Sequence, residues 1–468
     1  MAIQETSRAA RGWRWFVVES ARPTRIAAWP GAPWLAVATV CFGAFMGQLD
    51  ASIVTLTFPA LTEQFHAPLA AVEWVSLSYL LTLVALLAAV GRLADVFGRK
   101  LVYIYGFVVF TAASVACCFA PTLGALLAFR VAQAIGAAML QANSVALVVT
   151  SVPRTRMRVA LGVQAAAQAL GLAAGPTLGA LLVNGLGWRW VFGINLPIGL
   201  IAMTAGHYLL PRSRQLCARG RFDLPGLLLL GVATTAALLA LSGVSGLGLA
   251  PAAALGLVAA AVAAGWLFLR RERRAAQPLV DLALLRARPV AAGLVGALCG
   301  YLVLFGPLVV VPFALAAPGG SAMRAGLVLT ALPAGFAVAA TLGGSLLPKR
   351  WSDLTRGLLG ASVSAVALAL LAVFPSAPAT LAALLAVLGL GLGVFTPANN
   401  TTVMAAIPAA GAGVGGGLVN MTRGLGTALG VGVCTLALHL SPADGPRIAF
   451  AALAVAALLG AASTRAAG

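Results

Sequence analysis

The stretch GRLADVFGRK, from Gly91 to Lys100, separates two apolar runs at about 72–91 and 101–119. Between runs of that length the chain must reverse tightly. Gly91 and Gly98 allow close backbone approach, Asp95 can cap a helix end or bridge to a neighbour, and Arg92, Arg99 and Lys100 hold the turn at one face of a bilayer. Working outward and cutting at charge clusters and at Pro or Gly turns gives fourteen runs, each long enough for a bilayer core, which takes about 20 apolar residues per helix. They lie near 34–58, 72–91, 101–119, 122–149, 159–183, 189–210, 224–243, 249–269, 290–315, 325–347, 355–374, 379–403, 412–438 and 446–463.

Composition agrees. The 468 residues are 61% hydrophobic and 9% charged, against about 45–50% apolar and about 25% charged in soluble domains. Apolar side chains in that excess cannot be hidden in one water-soluble core, so the chain reads as an all-α polytopic membrane protein. The net charge of +19 comes from short clusters between the runs rather than from a basic domain, which argues against nucleic acid as a partner. When connections are assigned alternately to the two sides, 25 of the 30 basic residues fall with the N-terminus and only Arg189, Arg324 and Arg447 fall opposite; Arg130 and Arg423 lie inside runs. This predicts an even number of spans with both termini cytoplasmic. The first 33 residues, with five arginines, read as a cytoplasmic tail, because their apolar stretch is too short for a signal peptide. Cys41, Cys117, Cys118, Cys299 and Cys434 sit singly or adjacent in apolar runs with no CxxC pair, so neither a disulfide framework nor a metal site is expected.

The second half echoes the first. Gly43, Gly47 and Pro59 recur 253 residues later as Gly296, Gly300 and Pro312; Gly136, Pro153, Gly162, Gly171 and Gly175 recur 255 later as Gly391, Pro408, Gly417, Gly426 and Gly430. This predicts a six-helix bundle over 34–210, a linker at 211–289 holding an inserted pair near 224–243 and 249–269, a second bundle over 290–463, and a short tail at 464–468. Two such bundles around a central cavity suit an alternating-access transporter.

The Gly91 to Lys100 string resembles the signature loop of the major facilitator superfamily, and further motifs resemble that superfamily's fourteen-helix drug:proton antiporter branch: QLDASIVTLTFPAL from Gln48, EWVSLSYLL from Glu73, RVAQAIGAA from Arg130, GLAAGPTLGA from Gly171, WRWVFGINLPIG from Trp188, FDLPG from Phe222, PLVDLALLR from Pro278 and NMTRGLGTALG from Asn420. Together they cover nearly the whole chain. Ser52, Thr55, Ala134 and Ala180 depart from the branch's usual residues, and of these Thr55 is the change that can alter substrate contact. The resemblance implies multidrug or antibiotic efflux across a bacterial inner membrane, Arg130 facing the cavity, and a hinge at Gly171, Gly175 and Pro176 that seals one side of it.

Read from the residues themselves, Asp50 is the only carboxylate well inside an apolar span, where a charge costs about 2.5–3.5 kcal/mol on insertion scales. It is the leading candidate for proton coupling; a purely structural Asp is the alternative. Arg130 needs a partner, and Asp50 is the only embedded acid on offer. Glu73, near the outer surface, is a weaker coupling candidate. Candidates for substrate contact are Gln48, Thr55, Tyr79, Gln133, Gln141, Asn143, Gln164, Gln168, Asn195, Asn399, Asn400, Thr401, Asn420 and Arg423, some of which are expected to join helices instead. Arg423 stands at the repeat equivalent of Gln168, and snorkelling to the cytoplasmic surface is its alternative role.

With two embedded arginines and one embedded aspartate, the expected cargo is a neutral, zwitterionic or anionic amphiphile. The sequence carries no GxxxxGK[ST] loop, so the energy source is expected to be the proton gradient, with no cofactor. The expected partners are a small amphiphilic substrate, protons and the lipid bilayer, with the chain acting as a monomer. A dedicated exporter of an endogenous metabolite is the first alternative. A transporter-like receptor or a membrane enzyme is the remote one, since His66, His207 and His439 lie near span ends with no convergent acid or thiol.

Overall fold

The computed structural model describes residues 19, 21–213, 223–244, 250–275, 278, 282–315, 322–348, 350–373, 377–441 and 444–467. These form helices and turns with no strand among them, as a lipid-embedded chain requires if every backbone N–H and C=O is to be satisfied within its own segment. The principal helices are α1 (Ala32–Ile53), α2 (Leu69–Phe97), α3 (Arg99–Cys118), α4 (Leu123–Ser151), α5 (Met157–Leu186), α6 (Asn195–Leu209, entered through the short helix Arg189–Gly193), α7 (Leu224–Val244), α8 (Pro251–Glu272), α9 (Arg288–Ala314), α10 (Ala322–Leu346), α11 (Asp353–Val373), α12 (Pro378–Ala405), α13 (Ala412–Leu440) and α14 (Gly445–Ala467). Thirteen spans among the described residues are long and apolar enough to cross a bilayer, and α7 adds the apolar stretch Pro225–Ala237.

Local chemistry sets the boundaries. Proline sits in the first two positions of α1, α8, α9 and α12, where its missing N–H costs nothing. Thr122 caps α4 by accepting the Ala125 N–H at 3.2 Å. The first run, read from the sequence as one span to residue 58, is broken: the α-helix ends at Ile53, Val54–Thr57 is 3₁₀, and Phe58–Phe65 forms a separate short helix. Pro59 supplies the reason, because its ring cannot share an α-helical turn with the carbonyl four residues earlier. Thr57 holds the tighter turn by donating its hydroxyl to Val54 O at 2.6 Å.

The repeat is visible in the packing. In the first half α1 packs on α5, α2 and α3 on α4, and α6 on α3; in the second, α9 packs on α13, α10 and α11 on α12, and α14 on α11. Equivalent glycines make equivalent contacts. A Cβ on Gly171 would strike the Phe45 carbonyl of α1, and one on Gly426 would strike the Leu298 carbonyl of α9, 253 residues after Phe45. Helices approaching this closely are held by dispersion, since lipid supplies no hydrophobic drive. The halves meet through α2 on α13 and through the symmetry-related pair α10 on α5, while α7 and α8 pack on each other with α7 against α2.

Gly98 ends α2 at φ 110°, and α3 starts one residue later. That backbone conformation belongs to glycine, and a Cβ there would also meet the Glu19 carboxylate. Gly98→Ala is therefore expected to cost about 1–3 kcal/mol, read as a lowered melting temperature of the purified protein; an unchanged melt would contradict this reading of the turn.

Candidate functional site

Three polar assemblies interrupt the apolar interior, and the first is built on Asp50. Side chains from two other helices, α4 and α6, bond to its carboxylate, and residues of α3 and α2 hold those donors. Arg130 Nη1 of α4 donates to Asp50 Oδ2 at 2.7 Å, Gln133 Nε2 to Oδ1 at 2.8 Å, and Asn195 Nδ2 of α6 to Oδ1 at 3.2 Å. Ser114 Oγ of α3 accepts from both Gln133 and Asn195, at 2.8 and 3.3 Å. Arg130 is further held by donating Nε to the Val75 carbonyl at 2.9 Å and Nη1 to Gln133 Oε1 at 2.6 Å, and its guanidinium lies 4.1 Å from the centroid of the Tyr79 ring of α2. Asp50 and Arg130 are each 1% exposed. An ion pair this deep survives only because nearly every lone pair and N–H is used. The repeat equivalents of Asp50 and Arg130 are Val303 and Leu385, both buried in the apolar core of the second half, so the ion pair belongs to one half alone.

The second assembly is a cavity of ≈ 190 Å³ between the halves, walled by α1, α2, α4, α5, α9 and α13. Gln48 and Ala51 of α1, Gln141, Gln168, Tyr301, Asn420 and Arg423 line it, with leucines of α2 and Phe305 completing the wall. The repeat explains this ring. Gln48 and Tyr301 are equivalents 253 residues apart, and Gln168 and Arg423 are equivalents 255 apart, so the pseudo-twofold brings all four to the same space. Tyr301 donates its hydroxyl to Gln168 Oε1 at 3.1 Å, and Arg423 donates Nη1 to Asn420 Oδ1 at 2.9 Å. Arg423 is 3% exposed and faces this cavity rather than snorkelling to a surface.

The third assembly joins the two halves at the end where the basic connections lie. Gly413 N and Val414 N, in the first turn of α13, donate to Asp95 Oδ1 and Oδ2, both at 2.9 Å. The N-cap of α13 is Gly411, which has no side chain, so Asp95 of the other half supplies the missing cap. Arg99 binds Asp95 through Nε at 2.9 Å and donates Nη2 to the Ala409 carbonyl at 2.6 Å. Gly91 lets the helices touch: a Cβ there would lie 2.5 Å from the Gly413 carbonyl oxygen. Lys100 is turned away from this junction and donates Nζ to His207 O and Leu210 O, at 2.7 and 2.9 Å, satisfying the end of α6. At the symmetry-related junction Asp353 of α11 pairs with Arg158 of α5, which stands 255 residues before Gly413.

The remaining sequence candidates divide by location. Tyr79 and Gln133 belong to the Asp50 assembly and not to the cavity wall. Asn143 donates to Met139 O, Gln164 to Ser144 Oγ and Asn399 to Gly293 O, so these join or brace helices. Asn400 and Thr401 are buried on α12, Thr401 donating to Pro397 O, and neither lines the cavity. Glu73 is half-buried on α2 and forms no ion pair among the described residues. The side chains of Thr55 and Pro176 lie outside the described residues. On α5, Gly175 packs against Ser52 and, with Gly171, fits the helix to α1. Sequence reasoning passed over Ser114, Tyr301 and Phe305; the 253-residue offset from Gln48 was the signal for Tyr301.

A model of the family described as Major Facilitator Superfamily matches residues 40–431. The chain belongs to the major facilitator superfamily. As a member it is a multi-pass membrane transporter of small molecules and not an enzyme. Among curated relatives in the superfamily, the riboflavin transporter RibZ of Clostridioides difficile is 32% identical over 85% of this chain and 86% of its own. The tetracenomycin C resistance and export protein of Streptomyces glaucescens is 32% identical over 86% of this chain and 75% of its own, and the methylenomycin A resistance protein of Streptomyces coelicolor is 32% identical over 91% and 90%. The last two are named for resistance to an antibiotic. The fold of this chain matches that of the human organic anion transporter MFSD10, with a TM-score of 0.69 at 17% identity, covering 92% of this chain and 99% of that one.

Proposed function

We propose that this chain exports amphiphilic small molecules, drugs or antibiotics among them, across a bacterial inner membrane in exchange for protons, as a monomer with both termini in the cytoplasm. The observation that carries the reading is the sealed Asp50–Arg130 pair on a helix that also walls the cavity. Gln48 and Ala51 face the cavity, while Asp50 faces Arg130 from the same α1. Protonation of Asp50 removes the charge that holds Arg130, Gln133 and Asn195 on one carboxylate, so α1 repacks and the cavity wall moves with it. Substrate entering the cavity and a proton reaching Asp50 then favour opposite-facing states, which is the coupling an antiporter needs.

The bundles at 34–210 and 290–463 are the two bodies that rock, with α7 of the pair in 211–289 packed against both α2 and α13. The conformation described is the one closed to the cytoplasm, because its seal lies at the basic end, through Asp95 with α13 and Arg158 with Asp353. Gly171 and Gly175 let α5 move with α1 as one block. The relatives named for tetracenomycin C and methylenomycin A support antibiotic cargo; the riboflavin transporter supports the second reading, a dedicated exporter of a metabolite by the same mechanism.

The test is proton release from inverted vesicles carrying this chain, with a pH gradient set beforehand and neutral, anionic and cationic amphiphiles added in turn. Partial collapse of the gradient by at least one compound, absent from vesicles without the chain, is the expected result. A gradient indifferent to every compound while the chain still carries one of them would contradict proton exchange.

A further inference from the structure

Resting on that reading and deepening it, we infer that the cavity selects amphiphiles carrying an anionic group, with Arg423 as the residue that receives the charge. Arg423 is 3% exposed, and among the described residues its Nε has no hydrogen-bond partner. Among the described residues its one side-chain bond is to Asn420 Oδ1, a neutral acceptor, and no Asp or Glu lines the cavity. Asp50, the acid two residues from Gln48 on α1, is already taken up by Arg130, Gln133 and Asn195. A buried guanidinium without a carboxylate partner is costly to the empty protein, and a carboxylate or sulfonate from the cargo would meet that cost.

The neighbouring groups are arranged to hold Arg423 rather than to neutralise it. Asn420 donates Nδ2 to Gln141 O at 2.7 Å and to Gly416 O at 3.0 Å, which fixes its oxygen toward Arg423. The Arg423 guanidinium lies 5.1 Å from the centroid of the Tyr301 ring. Gln168 accepts from Tyr301 through Oε1, which leaves its amide N–H groups to donate beside the same anion. Tyr301 stacks on Phe305 at 22° between planes, and leucines of α2 form the facing wall. The occupant that fits is thus an aromatic or aliphatic body ending in one anionic group.

Equilibrium dialysis against the purified full chain in nanodiscs of zwitterionic lipid tests this, with 2-naphthoate, its methyl ester and 2-naphthylmethylammonium as probes of one size and three charges. Naphthoate is expected to bind about tenfold or more tighter than the ester or the amine. Arg423→Gln is expected to reduce it to the ester's level, and Arg423→Lys to keep most of the preference. Equal binding of acid and ester to the wild type, no binding of naphthoate, or full naphthoate binding by Arg423→Gln would each overturn the inference, and the wild-type comparison needs no variant to fold. Arg423-dependent naphthoate binding without proton movement in vesicles would leave the inference standing and remove proton exchange. Proton-coupled movement of neutral probes with no preference for the acid would do the reverse.

Discussion

Replacing Arg130 with Gln is expected to cost about 3–5 kcal/mol, the range found when one member of a buried ion pair is removed and its partner is left charged without compensation. Asp50 would keep Gln133 and Asn195 as donors but lose the only positive charge in contact with it among the described residues. The loss is relieved when the second charge is removed as well. The double variant Asp50→Asn with Arg130→Gln is therefore expected to melt well above Arg130→Gln alone, so that the two changes are strongly non-additive. Melting temperatures of the three variants and the wild type, measured in the same detergent, give the coupling directly. Additive effects would mean that the two side chains do not share their stabilisation, and the description of this site would be wrong.

The second large effect is expected at the basic-end junction. Both oxygens of Asp95 accept from backbone N–H groups, Oδ1 from Gly413 and Oδ2 from Val414, while Arg99 adds its own donor. In Asp95→Asn one oxygen becomes an NH₂ group that faces an N–H, and the charge that offsets Arg99 and complements the start of α13 is gone. Charge-assisted bonds contribute about 1.5–3 kcal/mol each. Losing one is enough to shift a two-state equilibrium about tenfold or more toward the cavity open at the basic end. A cysteine at Leu87, on the cavity wall, in a background without native cysteines reports the shift. Its rate of modification by an impermeant maleimide from the basic side is expected to rise by about that factor, and an unchanged rate would show that this junction is not what closes the cavity.

Much of the architecture was legible because lipid imposes a simple rule: each span must be long, apolar and helical, and basic residues stay on one side. The fourteen runs fall on fourteen helices for that reason. The break at Ile53 was hidden inside an apolar run, although Pro59 marked it. At the Asp50 assembly, Asp50 and Arg130 stood out because an embedded charge is costly enough to be conspicuous. Ser114 did not, since a small hydroxyl is common in spans and only three-dimensional convergence shows that it links Gln133 to Asn195. The polar candidates divided in a way no one-dimensional pattern foretold. Gln133 and Tyr79 face the ion pair, Gln164 and Asn399 tie helices, and Gln48, Gln168, Asn420 and Arg423 face the cavity. What separates these groups is rotation about each helix axis, and spans that are apolar all round carry little sign of that rotation. The repeat carried more: it pairs Gln48 with Tyr301 and Gln168 with Arg423, and those four residues surround the cavity.

The central claim is that the proton which powers export binds at Asp50. Its most direct test is substrate transport by wild type and Asp50→Asn in proteoliposomes, measured once as exchange of labelled for unlabelled substrate and once as uphill accumulation against an imposed pH gradient. The account predicts that Asp50→Asn, whose amide imitates the protonated acid, still exchanges substrate but accumulates none, because no proton can leave or enter at that position. Accumulation by Asp50→Asn at the wild-type level under the same gradient would contradict it.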